Sequence, residues 1–355
     1  MRAILPATMS PLETHHDVTS YRQVRLKSRP AGIPQADNFE IVTAPLPNIA
    51  EKQFLVCNEY LSVEPAMRGW VSAVANYSTP VGIGDVMRAF SAGKIVASRH
   101  PNYREGDAVM GMLGWQEYAI SDGSTITRKV KEKDLPLSLS LGVLGLNGVT
   151  AYFGLLDVGQ PRPGDTVVVS TAAGAVGSAV GQSAKLMGCR TVGITGGPIK
   201  CKVCSEEFGY DDVIDYKAGA IGDGLTRACP RGVDVYFDNT AGAISDAVLP
   251  QLAMCARVVI CGTASVPSWD PPPTGPRVER HLLVKRARMA GVLIFDYQHR
   301  YEEAVTRLVE WVRDGRLRYR EDIADGIENC SGSIAELYRG ENLGKRLIRL
   351  RLSNH

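Results

Sequence analysis

The sequence predicts an α/β protein in which a doubly wound parallel sheet is inserted into a β-rich module. Three features predict it. From about residue 140 to 315, strand-like runs alternate with helical stretches of roughly ten residues, the pattern of βαβ units. Runs such as TVVVS and ARVVICG are apolar throughout, as strands buried on both faces are. On either side of this block the chain shows only short runs broken by Pro, Gly, Asn and Asp.

Over 20–130 the runs YRQVRL, FEIVTAPL, FLVCNEYLSV, KIVASR and DAVMGMLGWQEYAI read as strands of a compact, barrel-like antiparallel module. The pattern changes near residue 139, where LSLGVLGLNGVTAYFGLLDV reads as a helix over 139–158. A Pro-Arg-Pro-Gly-Asp turn leads to a strand at 166–170, a glycine-rich turn and a helix over 176–187 ended by Gly188. Strands then follow at 190–195, 212–214, 233–239 and 256–262. Between them fall helices near 198–208, 220–228 and 243–254. After a Pro-rich loop at 263–276 come a short helix near 278–284, a strand over 287–295 and an amphipathic helix over 301–314. Residues 317–355 return to short strands with one helix near 332–339. The expected division is a flexible tail at 1–18, a β-rich module of 19–139 plus 316–355, and the α/β block at 140–315.

The 355 residues are 45% apolar and 22% charged, which excludes wholesale disorder and permits a large core. With 40 Lys and Arg against 38 Asp and Glu, the net charge of +2 argues against a nucleic-acid or anionic-membrane surface. The most apolar region, 135–158, is interrupted by Ser138, Ser140, Gly142, Asn147 and Gly148, so no membrane span is expected. The N-terminus lacks the ordered regions of a signal peptide, so the expected compartment is the cytoplasm. The eight cysteines are scattered, and Cys201 and Cys204 form a lone C-x-x-C inside a predicted helix with no second pair to complete a zinc site. The six histidines, at 15, 16, 100, 281, 299 and 355, complete no such site, so no metal is expected.

The strongest local signal is Thr171-Ala172-Ala173-Gly174-Ala175-Val176-Gly177, directly after TVVVS and opening a helix. It matches A-x-G-x-x-G, a relative of the dinucleotide fingerprint. Gly174 lets the backbone approach a pyrophosphate at the positive helix N-terminus, and Gly177 lets the helix pack closely on the strand. A site for NADH would place an acidic residue about 20 residues further on, to hold the ribose 2′-hydroxyl. Here the next strand ends in Thr195-Gly196-Gly197-Pro198, followed by Lys200 and Lys202. Cations without a carboxylate suit a 2′-phosphate, so the expected cofactor is NADPH.

The stretches VVSTAAGAVGSAVGQSAKLMGCRTVGITGG, DYK, DVYFDNTAG, ARVVICG and ENLGK resemble the zinc-independent medium-chain dehydrogenases/reductases. So do SVEPAMRGW, GDAVMGMLGWQEYA and LGVLGLNGVTAYFGLL. The likeness is greatest to the branch holding leukotriene B4 dehydrogenase, prostaglandin reductase and the double-bond and curcumin reductases, and runs from about residue 20 to 352. It implies a Rossmann domain inserted in a GroES-like barrel, NADPH, a homodimer, and hydride transfer to the C=C bond of a small hydrophobic α,β-unsaturated aldehyde or ketone. It also implies cofactor roles. Gly174, Ala175, Val176 and Gly177 would contact the pyrophosphate, Lys200 the 2′-phosphate and Tyr216 the adenosine side. Asn239 would hydrogen-bond the cofactor, Cys261 and Gly262 would line the nicotinamide ribose, and Asn342 would reach the nicotinamide end.

Two departures from the branch stand out. The motif P-Y-M-R-G is here Pro65-Ala66-Met67-Arg68-Gly69, and no Tyr follows Cys261-Gly262, where 263–269 reads TASVPSW. The usual partner of the substrate carbonyl is therefore missing; Tyr77, Tyr297, a ribose hydroxyl or water could replace it. Without a metal, conjugation makes the acceptor electrophilic, provided the developing enolate oxygen finds a hydrogen-bond donor. Trp70, Tyr77 and Trp269 are candidates for an apolar, aromatic pocket. A quinone reductase on the same scaffold, and a cofactor-binding protein without catalysis, are the competing readings.

Overall fold

The computed structural model describes residues 19–73, 77–266 and 271–350. The expected tail at 1–18 and Trp269 lie outside them. Strands β1 (Ser20–Leu26) and β2 (Phe39–Pro45) form an antiparallel hairpin. Next come β3 (Phe54–Ser62), the one-turn helix α1 (Met67–Val71), β4 (Phe90–Ser98), β5 (Ala108–Met112), β6 (Tyr118–Ser121) and β7 (Ile126–Lys129). Helix α2 (Leu146–Phe153) precedes β8 (Thr166–Ser170) and α3 (Ala175–Leu186). The alternation continues with β9 (Arg190–Thr195), α4 (Pro198–Glu206), β10 (Asp212–Asp215), α5 (Ile221–Ala228), β11 (Val233–Asp238) and α6 (Gly242–Val248). The chain completes with β12 (Leu252–Ile260), α7 (Glu279–Lys285), β13 (Arg288–Gly291), α8 (Tyr301–Arg313), β14 (Glu321–Asp325), α9 (Cys330–Arg339) and β15 (Lys345–Arg349).

β8 to β13 make one parallel sheet in the order β10-β9-β8-β11-β12-β13. Counted from β8 this is 3-2-1-4-5-6, the dinucleotide-binding order, with its switch point between β8 and β11. All five residues of β8 are buried, which explains its unbroken apolar run. The second sheet runs β14-β15-β3-β4-β5-β7, with β6 also on β3. The chain's last two strands thus join its first ones. The largest core cluster is continuous across both sheets, from Val24 and Trp115 to Val167 and Phe237.

Two elements differ from expectation. The helix expected over 139–158 is a 3-10 turn at Leu137–Leu141, then α2, then a wide π-helical turn at Gly154–Gly159. The chain folds back on itself at 142–145: a Cβ on Gly145 would stand 1.9 Å from the Ser140 carbonyl oxygen, and one on Gly148 1.8 Å from that of Val143. The strand expected over 287–295 stops at Gly291, because its partner β12 ends at Ile260 and no ladder remains to pair with. Residues Ile294–Arg300 coil into 3-10 turns instead.

α3 packs on the sheet through small residues. Tyr210 is buried there and its hydroxyl donates to the Gly177 carbonyl at 2.7 Å. A Cβ on Gly181 would lie 2.2 Å from that ring's Cζ. Gly181→Ala gains about 1 kcal/mol of helix propensity but forces overpacking of about 3 kcal/mol against an immobile ring. The expected outcome is a lower melting temperature by calorimetry; an unchanged or higher one would contradict this packing.

Candidate active site

The turn after β8 is built for close approach. Thr171 adopts φ +54°, and the Gly174 N–H donates to the Thr171 carbonyl at 2.9 Å. A Cβ on Gly177 would meet that same carbonyl oxygen at 2.2 Å. Only glycine allows α3 to start this close to the strand. No side chain caps the N-terminus of α3, so its first N–H groups, beginning with those of Ala175, Val176 and Gly177, face outward. This cradle has the shape and polarity a pyrophosphate requires.

The switch point beside it is stitched by side chains. Asn239 donates from Nδ2 to the Ser170 carbonyl at 2.7 Å, and its backbone N–H donates to Ser170 Oγ at 2.8 Å. The buried Asp238 carboxylate accepts from the N–H groups of Thr240 and Ala241 and from the Ser245 hydroxyl. Its carbonyl accepts from the N–H groups of Cys261 and Gly262 at 2.8 and 3.1 Å. A Cβ on Gly262 would lie 2.8 Å from the Asn239 carbonyl oxygen, so the ends of β11 and β12 are held edge to edge.

At the end of β9, Gly196 lies beneath the Tyr216 ring, which a Cβ would meet at 2.7 Å. Lys200 donates from Nζ to the Gly340 carbonyl at 2.7 Å. Burial lowers its pKa and the nearby Lys217 ammonium lowers it further. Two acidic side chains reach this corner among the described residues: Asp322, which acts on Lys200 but faces Arg346 at 3.4 Å, and Asp215, a residue the sequence analysis passed over. Its Oδ1 accepts the N–H groups of Gly197 and Lys217, both at 2.9 Å, which holds it ionised as a loop staple. Two crowded ammonium groups beside a spent carboxylate fit a phosphate and leave nothing free for a ribose 2′-hydroxyl.

The helix α1 carries Arg68 and Trp70. Trp70 is 1% exposed, and its indole N–H has no partner at hydrogen-bond geometry. The Tyr77 hydroxyl lies beside it. Tyr77 is 55% exposed as a residue, yet desolvation raises its pKa; the Trp70 N–H partly opposes this, and Glu64 and Cys261 add to it. Tyr77 therefore sits within electrostatic reach of the β12 end. Its ring centroid is 6.4 Å from that of Phe295, which stacks on Phe90 at 6.5 Å. Tyr297 turns the other way: its ring stacks on Phe153 at 4.5 Å, beside the Arg300–Asp157 ion pair. The structure brings Tyr77 and Trp70 together and leaves Tyr297 outside their contacts. Trp115 is core, its N–H donating to the Ser62 carbonyl at 3.0 Å.

The C-terminal segment closes the cleft. The Gly344 N–H donates to the Ala173 carbonyl at 3.1 Å, and Gly344 bridges Gly174. Asn342 donates from Nδ2 to the Gly344 carbonyl at 2.8 Å. Sequence reasoning missed four residues here. Lys345 Nζ donates to Glu64 Oε1 at 2.6 Å, both side chains 4% exposed. Tyr338 donates to the Pro65 carbonyl at 3.0 Å under the Arg68 guanidinium, and Arg68 donates to the Val266 carbonyl at 2.7 Å. Glu64, Arg68 and Lys345 lie in the quoted motifs SVEPAMRGW and ENLGK, and the motifs were the available signal.

The matched family models are the N-terminal domain of oxidoreductase over residues 22–129 and zinc-binding dehydrogenase over 175–311. The chain is 42% identical to the NADPH-dependent curcumin reductase of Escherichia coli, over 92% of this chain and 95% of the relative. The chain belongs to the zinc-independent medium-chain dehydrogenases/reductases. Within this family it is also 36% identical to a 2-alkenal reductase (NADP(+)-dependent) of Nicotiana tabacum, over 93% of this chain and 97% of that one. The crystal structure of CurA in complex with NADPH from Vibrio vulnificus superposes with a TM-score of 0.88 at 41% identity, covering 93% of this chain and 99% of that chain. Among the described residues of this medium-chain reductase, no group of three or more His, Cys, Asp or Glu is placed to hold a metal ion.

Burial and the Asp238 charge push Cys261 up to about 12, whereas Cys255 is exposed on β12. Because the thiolate is the nucleophile, iodoacetamide at pH 8 is expected to label Cys255 well before Cys261 in peptide mass spectra. Faster labelling of Cys261 would contradict its placement.

Proposed function

We propose that this protein reduces the C=C bond of small, hydrophobic α,β-unsaturated aldehydes and ketones with hydride from NADPH. The observation that carries this is whole-length similarity to relatives named for NADPH-dependent curcumin and 2-alkenal reduction, joined to a cleft whose cation corner fits a 2′-phosphate. Bound NADPH supplies the hydride. The N–H groups of Gly174 to Gly177 hold the pyrophosphate, Lys200 the 2′-phosphate, and Tyr216 flanks the adenosine. Asn239 keeps the ends of β8 and β11 together and hydrogen-bonds the cofactor, Cys261 and Gly262 line the nicotinamide ribose, and Asn342 faces the nicotinamide end. Residues 140–315 form the nucleotide domain, and 19–139 with 316–355 the catalytic domain.

Tyr77 orients the substrate by donating to its carbonyl oxygen. That bond strengthens as enolate charge develops, and water returns the proton to the α-carbon. Trp70 supports Tyr77 through its otherwise unpartnered N–H. Phe90 and Phe295 supply an aromatic wall. Tyr77 takes this role in preference to Tyr297, whose ring is stacked on Phe153.

NADPH oxidation at 340 nm is to be followed with a 2-alkenal, a cyclic enone, a quinone and a saturated aldehyde, each product weighed. Turnover of the alkenal and enone to saturated carbonyls is expected, with NADH much poorer. Turnover of the quinone alone would replace this reading with quinone reduction, and oxidation with none of them would leave a cofactor-binding protein. Tyr77→Phe is expected to lower kcat about 100-fold, the usual loss for one oxyanion donor. Lys200→Ala is expected to raise the KM for NADPH about tenfold or more, and not that for NADH.

The protein acts as a cytoplasmic homodimer paired through β13. Among the described residues that strand is an edge, bonded only to β12. Exposed Leu283, Val284 and Met254 accompany it, and a free apolar edge is usually covered. Leu283→Glu should convert a dimer to a monomer in light scattering; an unchanged mass would place the interface elsewhere.

A further inference from the structure

Residues 339–344 form a hoop over the cleft, and both its ends are tied to the dipeptide Glu64-Pro65 of their own module. Before the hoop, Tyr338 donates to the Pro65 carbonyl at 3.0 Å. After it, Lys345 donates to Glu64 Oε1 at 2.6 Å and to the Val63 carbonyl at 2.9 Å. On the nucleotide side the hoop touches Lys200 at Gly340 and the glycine turn at Gly344. Gly344 is pressed in place at φ +79°, where a Cβ would stand 2.2 Å from the Arg320 carbonyl oxygen. The hoop therefore spans from the 2′-phosphate corner to the pyrophosphate turn, suspended from Glu64 and Pro65.

The Glu64 carboxylate is positioned from three segments. Ser62 Oγ donates to Oε1 at 2.6 Å, Lys345 to the same oxygen, and Asn147 Nδ2 on α2 to Oε2 at 3.3 Å. The Lys345 ammonium is so buried that desolvation lowers its pKa despite the facing carboxylate. A buried ion pair of this kind is a poor source of stability, because an apolar pair of similar volume usually serves as well or better. What it supplies is direction: a charged hydrogen bond holds one geometry where methyl groups tolerate several.

We propose that Glu64 and Lys345, supported by Asn147 and Tyr338, are positioning residues that set NADPH affinity by holding the 339–344 hoop against the glycine turn. The proposal rests on the NADPH reading above.

The test is NADPH affinity, read by protein-fluorescence quenching, together with thermal melting and steady-state kinetics, in Glu64→Gln, Lys345→Met, Tyr338→Phe and the doubly apolar Glu64→Met/Lys345→Met. Each single variant at the ion pair is expected to weaken NADPH about tenfold, the factor carried by one charge-assisted hydrogen bond. Tyr338→Phe, which keeps the ring under Arg68, should weaken it a few-fold. The double variant guards against misfolding. It should melt at or above the temperature of the unaltered protein, yet bind NADPH about tenfold more weakly, with KM raised and kcat at saturating NADPH within about twofold. A double variant that melts normally and binds NADPH like the unaltered protein overturns the proposal, as does a loss of affinity that tracks melting temperature across the set. Failure of the unaltered protein to bind NADPH overturns the functional reading itself, and shows before any variant is made.

Discussion

An ammonium group removed from water must be met by a carboxylate, and in this chain the two come from opposite ends of the sequence. Lys345 and Glu64 are separated by 281 positions and by 2.6 Å. Leaving either charge alone inside the protein costs about 3–5 kcal/mol, a large fraction of any domain's stability. The pair marks where the C-terminal segment returns to the strand that ends at Ser62. Once it does, β15 lies between β14 and β3, and the residues before Lys345 cross the mouth of the parallel sheet.

The floor of the cleft follows from strand order. A parallel sheet whose strand order reverses between β8 and β11 opens a crevice at their carboxyl ends, and loops diverging there must have their backbone groups satisfied. Asp238, Asn239 and Ser170 do this, their side chains bonding the backbone of neighbouring loops. The same economy appears at Asp215, whose carboxylate is spent on Gly197 and Lys217. What remains are the uncapped N–H groups at the start of α3 and the ammonium groups of Lys200, held by the Gly340 carbonyl, and Lys217. Both are positive, and both lie where an anionic dinucleotide would run. The substrate side proposed above is the converse: aromatic rings of Phe90, Phe295 and Tyr77, with one hydroxyl and one indole N–H among them.

Legibility varied with the kind of signal. Strands at 166–170 and 190–195 could be read because burial on both faces demands unbroken apolar runs, and the glycine turn because only glycine tolerates a carbonyl oxygen 2.2 Å from the Cβ position. The helix over 139–158 was over-read, since apolar periodicity does not register backbone reversals at Gly142 and Gly145. The strand over 287–295 was over-read because its length is set by β12. Lys200 was visible in the motif, but Asp215 was not visible as its spent neighbour, because nothing in DYK says which N–H groups the carboxylate faces.

By itself, then, the sequence determined the alternation that makes a parallel sheet, the turn that can approach a pyrophosphate, and the residues of ENLGK and SVEPAMRGW as things to be explained. These are local properties: spacing, side-chain volume and backbone freedom are carried by neighbours in the chain. Only the tertiary structure decided that Lys345 meets Glu64, that Tyr338 meets Pro65, and that Tyr77 lies against Phe295 while Tyr297 stacks on Phe153. Hydrogen bonds and charge pairs act over about 3 Å whatever the separation in sequence, so such partners are set by how the two sheets dock, which no local pattern encodes.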